Sequence, residues 1–462
     1  MRIPHTLRVN VIRVYASSTQ SRQLLGEMNR SIESDNFSWD KYDPLSLMDT
    51  CVKVMAEGFE MCYEYIKRLP RQDLDYVLEI LRTDLPVHLT VPVIEDGVYW
   101  KRCCDDNWPD ETINLTKSET SWKKAFLERY LQQVVESQIP NQVDWTTLEL
   151  TVNACADYVT RLHLQQLLPP PNLELRPVSP DECVRGTPIT SHLDIRFLLA
   201  RLHKLQQLSI RYGVKECGMT YEHYYFQISE ADVTDLAEGL RQGPTTLNSF
   251  ALHRCQIDDI KLNILLGALI DMENLTSLDF SHCNFGNIGA KSLAKLISLH
   301  KSLKELNIEN NSFGEEGLMA VAFVLNKKDS CPLEVLKLDL NIFGDEGAKA
   351  LGASLVNNST LTKLSLAGCG ITIEGLTSLM AALRYNTTLL NLNLSSNNFS
   401  NECCTEVMIA LEFNTCIQVL DLRNTGIDNE ALSNFETFIR RNRKILRRSR
   451  LSEGNRNLID FF

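Results

Sequence analysis

Residues 275–302 read LTSLDFSHCNFGNIGAKSLAKLISLHKS, and within them GNIGAKS, Gly286 to Ser292, looks like half of a phosphate-binding loop. Such a loop needs glycine directly before lysine and then serine or threonine, because its backbone amides cradle a phosphate that the lysine reaches. Here Ala290 separates Gly289 from Lys291. Two registers on, the same place reads GDEGAKA, and between them GEEGLMA. The glycine pair therefore recurs with a period, and nucleotide binding is not its explanation. Lys291 and Lys349 are expected to be solvated helix residues.

Moving the segment along the chain finds its copies. Units open at Leu247, Leu275, Leu303, Leu333, Leu361, Leu389 and Ile417, spaced by 28 residues with one step of 30. Each begins LxxLxLxxN/C or a close variant and continues into an apolar helical half. The leucines alternate at period two, as a short strand with one buried face requires, and Leu293, Leu296, Ile297 and Leu299 then follow helical spacing. The ninth position holds Cys255, Cys283, Asn311, Asn341, Cys369 and Asn397. Asparagine there can satisfy backbone groups where the chain leaves the strand, and cysteine fills the same pocket. The glycines of FGNIG, FGEEG and FGDEG predict a tight turn into the helix. No unit can bury its apolar side alone, so neighbours must stack. The pattern resembles the long leucine-rich repeat. It implies an α/β solenoid, a ribonuclease-inhibitor-like horseshoe of 28-residue repeats preceded by a mostly helical N-terminal domain.

The regular units occupy 247–444. Before them, 146–246 holds two irregular units, starting at Val159 and Leu205. A proline-rich stretch from Pro169 to Pro188 and the insertion TYEHYYFQ interrupt these units. The aromatics Tyr221, Tyr224, Tyr225 and Phe226 in that insertion read either as a partner contact or as a loop packed on its own solenoid. Residues 41–145 do not repeat. Helices are expected over 43–70, capped by Asp43 with Pro44 in the first turn, over QDLDYVLEILRTD, and over SWKKAFLERYLQQVVESQIP capped by Ser121. This domain should cap the first end of the solenoid. Residues 1–40 form an N-terminal extension whose arginines faintly suggest a presequence, although LRVNVIRVY reads equally as a strand or docking segment. Residues 445–462 form a C-terminal tail.

A net charge of −12 argues against broad nucleic-acid or anionic-membrane binding. No run of 18 apolar residues is present to span a bilayer. The 14 cysteines form no CxxC pair, which fits buried reduced thiols better than a disulfide framework or a zinc site. No catalytic motif, cofactor loop or metal-ligand spacing is found, so neither an enzyme nor a small-molecule substrate is expected.

Candidate functional residues are those of a binding surface. The strand positions facing away from the leucines line the inner face, among them His253, Asp279, Glu309, Lys337, Asp339, Asn393, Asp421 and Arg423. That face is polar and mildly acidic, suited to a polar or basic partner or to none. A second candidate is the basic end, Arg440, Arg441, Arg443, Lys444, Arg447 and Arg448, which either caps the array or contacts an acidic partner.

One further resemblance runs from about residue 45 to 445. DLDYVLEILRTDLPVHLTVPVIEDGVYWKRCC, SWKKAFLERYLQQ, the two irregular repeats and the regular array together resemble the leucine-rich-repeat subunits of the nexin–dynein regulatory complex. The most specific part runs from Leu85-Pro86 to Tyr99-Trp100-Lys101-Arg102-Cys103-Cys104. The resemblance implies a non-catalytic scaffold of the axoneme in motile cilia and sperm flagella, within the cytoplasmic cytoskeleton. Its partners would be other subunits of that complex, with tubulin or inner-arm dynein components as further candidates. Two alternatives stay open: LPRQDLDYVLEIL before a repeat array resembles an F-box of a ubiquitin-ligase substrate receptor, and Ran GTPase-activating proteins use a similar repeat.

Overall fold

The computed structural model describes residues 47–110, 121–139, 142–168, 192–215, 223–327 and 331–459. The extension 1–40, the expected cap at Asp43, the proline-rich stretch from Pro169 and Tyr221 lie outside them. The chain divides between Arg82 and Thr83 into two units, not at 145.

In the first unit, the helix expected as one piece is two, α1 (Leu47–Glu57) and α2 (Phe59–Ile66), followed by α3 (Arg71–Ile80). The break falls at Gly58, where glycine weakens a helix interior. α1 packs on α3, with Val52, Ala56 and Val77 buried.

The second unit opens with α4 (Val87–Thr90), α5 (Val98–Asn107), α6 (Trp122–Glu136) and α7 (Trp145–Cys155). Ser121 caps α6 as expected, its hydroxyl accepting from the Lys124 amide at 3.1 Å. Sequence reading gave no hint of the centre of this region. Lys123 is only 5% exposed. Its ammonium donates to the carbonyls of Val91 at 2.7 Å and Ile94 at 2.8 Å, and lies over the rings of Trp100 and Tyr158. Carbonyls and aromatic faces replace the water that the charge gives up.

Strands and helices then alternate: β1 (Arg161–Leu164), α8 (Arg196–Arg201), β2 (Gln207–Ile210), α9 (Glu230–Gln242), β3 (Ser249–Leu252), α10 (Asp259–Leu269), β4 (Ser277–Asp279), α11 (Asn287–Leu299), β5 (Glu305–Asn307), α12 (Glu315–Leu325), β6 (Val335–Lys337), α13 (Gly344–Asn357), β7 (Lys363–Ser365), α14 (Ile373–Leu383), β8 (Asn391–Asn393), α15 (Cys404–Phe413), β9 (Val419–Asp421) and α16 (Asn429–Ile459). All nine strands form one parallel sheet in sequence order, so the two irregular units join the seven regular ones in register. One apolar residue per strand, Leu162, Leu208, Phe250, Leu278, Leu306, Leu336, Leu364 and Leu392, stacks on the next, each at most 2% exposed. α16 runs through residue 444 to Ile459, so the expected boundary with a tail falls inside one helix. Tyr225 and Phe226 of the aromatic insertion are buried with Leu168 and Val214.

Three polar ladders hold the repeats together. At the ninth position, the Asn341 amide donates to the carbonyls of Ile308, Leu338 and Asp339 while its oxygen accepts from the Asn311 amide. Asn311 and Asn397 repeat this arrangement. Cysteine does more than fill space there: the Cys283 thiol donates to Leu252 O at 3.0 Å and that of Cys369 to Leu338 O at 3.3 Å. Burial pushes the Cys369 thiol up to about 12, which keeps its proton in place for that bond.

A second ladder, at the return from helix to strand, was missed in the sequence. Asn358, Asn386, Asn414 and Asn442 are all buried. Each of the middle two donates to a carbonyl of the preceding repeat and accepts the amides that open the next strand. Aligning the 28-residue units brings these asparagines into one column, and that column was the available signal.

The third ladder answers the GNIGAKS question. Asp259 Oδ1 accepts from the amides of Gly286 at 2.7 Å and Gly289 at 2.9 Å, so the amides that would cradle a phosphate already hold a carboxylate. Asn287 and Asp345 cap the following helices in the same way. The second glycine is therefore required by close approach and not, as expected, by a tight turn: a Cβ at Gly289 would sit 2.7 Å from Asp259 Oδ1, and one at Gly375 2.6 Å from Asp345 Oδ1. Lys291 is exposed as expected, and pairs with Glu316 at 3.1 Å.

The eighth position of every regular unit has positive φ: Arg254, His282, Asn310, Leu340, Gly368, Ser396 and Asn424. Glycine and asparagine tolerate this region, whereas a leucine side chain crowds its own carbonyl. Leu340, at φ 59° and 52% exposed, gains little burial in return. Replacing Leu340 by asparagine is expected to raise the unfolding free energy by about 1 kcal/mol, read as a higher urea midpoint at unchanged slope. A lower midpoint would show that the side chain is held by contacts that offset the strain.

Candidate functional site

The inner-face candidates all lie on the open side of the sheet, because side chains alternate and the leucines take the helix side. Most are engaged with one another along neighbouring strands. Asp279 accepts from the Ser281 amide at 2.9 Å and from Asn307 Nδ2 at 3.0 Å. Asp339 Oδ1 accepts from the Ser365 hydroxyl and the Ala367 amide, both at 2.6 Å. Asn393 donates to Ser365 and accepts from the Ser395 amide. Arg423 chelates Asp421, 2.6 Å at the shortest, and holds that carboxyl below the usual carboxylate range. Glu309 faces His282 Nε2 at 3.3 Å. Lys337 is exposed.

The result is two ends of different character. Toward β9 the face carries acids already satisfied by local donors. Toward β1 it sinks into a depression of about 510 Å³ lined by His163, Arg211, His253, Arg254, Asp279 and Glu309, among others. Removal from water and neighbouring Arg161 hold His163 below the ordinary imidazole value, with Glu128 opposing them. His253 is lowered in the same way, against the opposing charge of Asp279. Arg211 lies over the ring of Phe226 at 5.0 Å. His253 was among the candidates, but His163, Arg211, Arg254 and His282 were not, because they occupy irregular repeats or the left-handed eighth position, where no residue type recurs.

The basic end separates into two sets. Arg441 donates to the carbonyls of Leu411, Glu412 and Asn414, the open C-terminus of α15, and Arg443 donates to Gln418 O at 2.7 Å and to Glu436. These two close the last repeat, as cations suit a helix C-terminus. Arg440, Lys444 and Arg447 are exposed, Arg440 pairing with Glu436 at 3.4 Å. The side chain of Arg448 lies outside the described residues. Among the described residues, no cluster of three His, Cys, Asp or Glu could hold a metal ion, and no helix is long and apolar enough to cross a membrane.

The family model described as Leucine Rich repeat matches residues 272–294, 300–322, 329–352, 357–380 and 413–435. Dynein regulatory complex subunit 5 of Mus musculus is 32% identical over 272 residues, 58% of this chain and 54% of the mouse protein. The protein of that name from Chlamydomonas reinhardtii is 31% identical over 218 residues, 47% of this chain and 50% of the algal one. Ribonuclease inhibitor of Sus scrofa is 28% identical over 186 residues, covering 40% of this chain and 38% of the inhibitor. The chain spans about half the length of the dynein regulatory complex relatives it matches. Ladder, register and similarity agree: the chain is a leucine-rich-repeat solenoid of the ribonuclease-inhibitor-like type, homologous over more than half its length to subunit 5 of the dynein regulatory complex.

Proposed function

We propose that this chain is a structural, non-enzymatic subunit of a dynein regulatory complex in the axoneme of motile cilia and flagella. There it holds other subunits of the complex against its repeats and so helps regulate dynein-driven motility. The observation that carries the reading is the similarity to proteins named for that complex in both a mammal and a green alga. The chemistry of the solenoid supports it. Its polar groups are spent on inter-repeat ladders, which make a stiff surface and leave few side chains free to react. The open sheet face and the exposed arginines and lysine of α16 are the surfaces offered to protein partners.

The test is fractionation of motile cilia carrying the tagged chain. It is expected to stay with detergent-extracted axonemes after a moderate salt wash, and to bring down other subunits of the complex when solubilised at high salt. Release with the membrane and matrix fraction would overturn the proposal.

A further inference from the structure

We propose that the outer face of α1 and α2 docks an amphipathic helix of a partner protein, one that carries lysine or arginine along a flank of its apolar stripe. This rests on the scaffold reading and names the chemistry of one of its contacts.

The two helices are apolar on two sides. On one, Val52, Ala56, Phe59 and Ile66 are buried. On the other, Leu47, Cys51, Val54, Met61 and Tyr65 are exposed, Met61 at 92%. Their steps of 4, 3, 7 and 4 residues follow the seam of a heptad repeat, with Gly58 at the one seam position that has no side chain. The Gly58 amide donates to Val54 O at 2.9 Å, so helical bonding carries across the break. A surface helix normally turns a polar side outward. A second apolar stripe at seam spacing, left open to solvent, marks a contact for another helix.

The residues beside the seam decide which helix. One flank holds Met48, Met55 and Cys62 and carries no charge; the other holds Thr50, Glu57 and Glu64. Lys53, Glu60 and Lys67 stand one step further round the helices. Among the described residues, no ion pair joins either lysine to Glu57 or Glu64. Glu64 accepts only from the Tyr63 hydroxyl, at 3.5 Å. The charge bordering the seam is therefore acidic. A second copy of the chain does not match it: antiparallel, Glu57 and Glu64 would face their own counterparts, and parallel, they would face the methionine flank. The same acids repel an anionic membrane surface. A partner helix with lysine or arginine opposite Glu57 and Glu64 covers the stripe and pairs its flank, and such flanking pairs set partner choice and orientation.

The test is fluorescence anisotropy of the full chain with a fluorescein-labelled peptide of three heptads, leucine at both seam positions and lysine on both flanks. One control peptide has glutamate on the flanks. Another keeps the lysines but has serine at the seam, which measures attraction by net charge alone. The leucine–lysine peptide is expected to bind at least tenfold more tightly than either control. The double variant Val54→Ser, Met61→Ser should weaken it at least tenfold, whereas Val356→Ser, an exposed apolar residue of α13, should change affinity less than twofold. Both should keep the circular dichroism of the parent, because the altered side chains are exposed. Glu57→Lys with Glu64→Lys should narrow or reverse the preference for lysine flanks over glutamate. The site is overturned if the leucine–lysine peptide fails to bind, which would mean that the face is closed from within the chain. It is also overturned if the serine-seam peptide binds equally well, or if the double serine variant binds like the parent. A parent chain that is dimeric in light scattering, and monomeric only as the double serine variant, would give the face to a second copy instead. None of these outcomes bears on whether the chain stays with axonemes, so the two proposals can fail separately.

Discussion

Replacing Asn341 by alanine is expected to lower the unfolding free energy by about 4 kcal/mol. Asn341 is fully buried, and its side chain serves three carbonyls and one amide from two repeats. Alanine leaves those groups without partners in a space closed to water, where each orphan costs about 1–3 kcal/mol. Partial relaxation and the survival of some backbone contacts keep the sum below the full total. Asn341→Cys should recover about half the loss, because the thiols of Cys283 and Cys369 already donate to carbonyls at equivalent positions. In a stacked array, the damage passes to neighbours through their interfaces, so urea unfolding should broaden as well as shift. Equal losses for alanine and cysteine would mean that the side chain only fills volume, and the ladder account would fail.

That comparison also shows what the sequence could tell. The ninth-position column was legible because asparagine and cysteine recur at a fixed step within a leucine frame, and the frame sets the sheet order as well. The column Asn358, Asn386, Asn414 and Asn442 was equally periodic. It sits between elements, however, where asparagine reads as turn chemistry and not as a buried donor. The eighth position was hidden for the opposite reason: one backbone conformation is met there by arginine, histidine, leucine, serine, asparagine and glycine, so no residue type marks it. The cross-repeat caps at Asp259, Asn287 and Asp345 join residues 27 to 30 apart, beyond the reach of a local capping signature. Lys123 was invisible because lysine is a surface residue by default. Inner-face candidates were placed on the right side of the sheet by alternation alone. Which of them are already paired depends on neighbours one repeat away.

Glu128→Ala is expected to cost about 3 kcal/mol and, at concentrations where the parent chain stays monomeric, to promote association. β1 is the first strand of the sheet, and its outer edge would present unpaired amides to any other strand. Glu128 on α6 covers part of that edge. One carboxylate oxygen accepts from Thr160 N at 3.0 Å, Thr160 Oγ1 at 2.9 Å and Arg161 N at 2.9 Å, and the other takes the Arg161 guanidinium at 3.2 Å. Glu136, two turns further along the same helix, accepts from the Gln165 amide. The carboxylate side chain is only 10% exposed, so these are not freely solvated surface contacts, although the Arg161 partner at 36% exposure adds little by itself. Glu128→Gln separates charge from shape: its amide oxygen can still accept from Thr160 and the Arg161 amide while the negative charge facing the guanidinium is lost, so it should lose about half as much as alanine. Light scattering and urea midpoints measured together decide the matter. A destabilised but strictly monomeric alanine variant would show that α6 shields the edge by packing alone. A variant as stable as the parent would show that the carboxylate is not what ends the sheet.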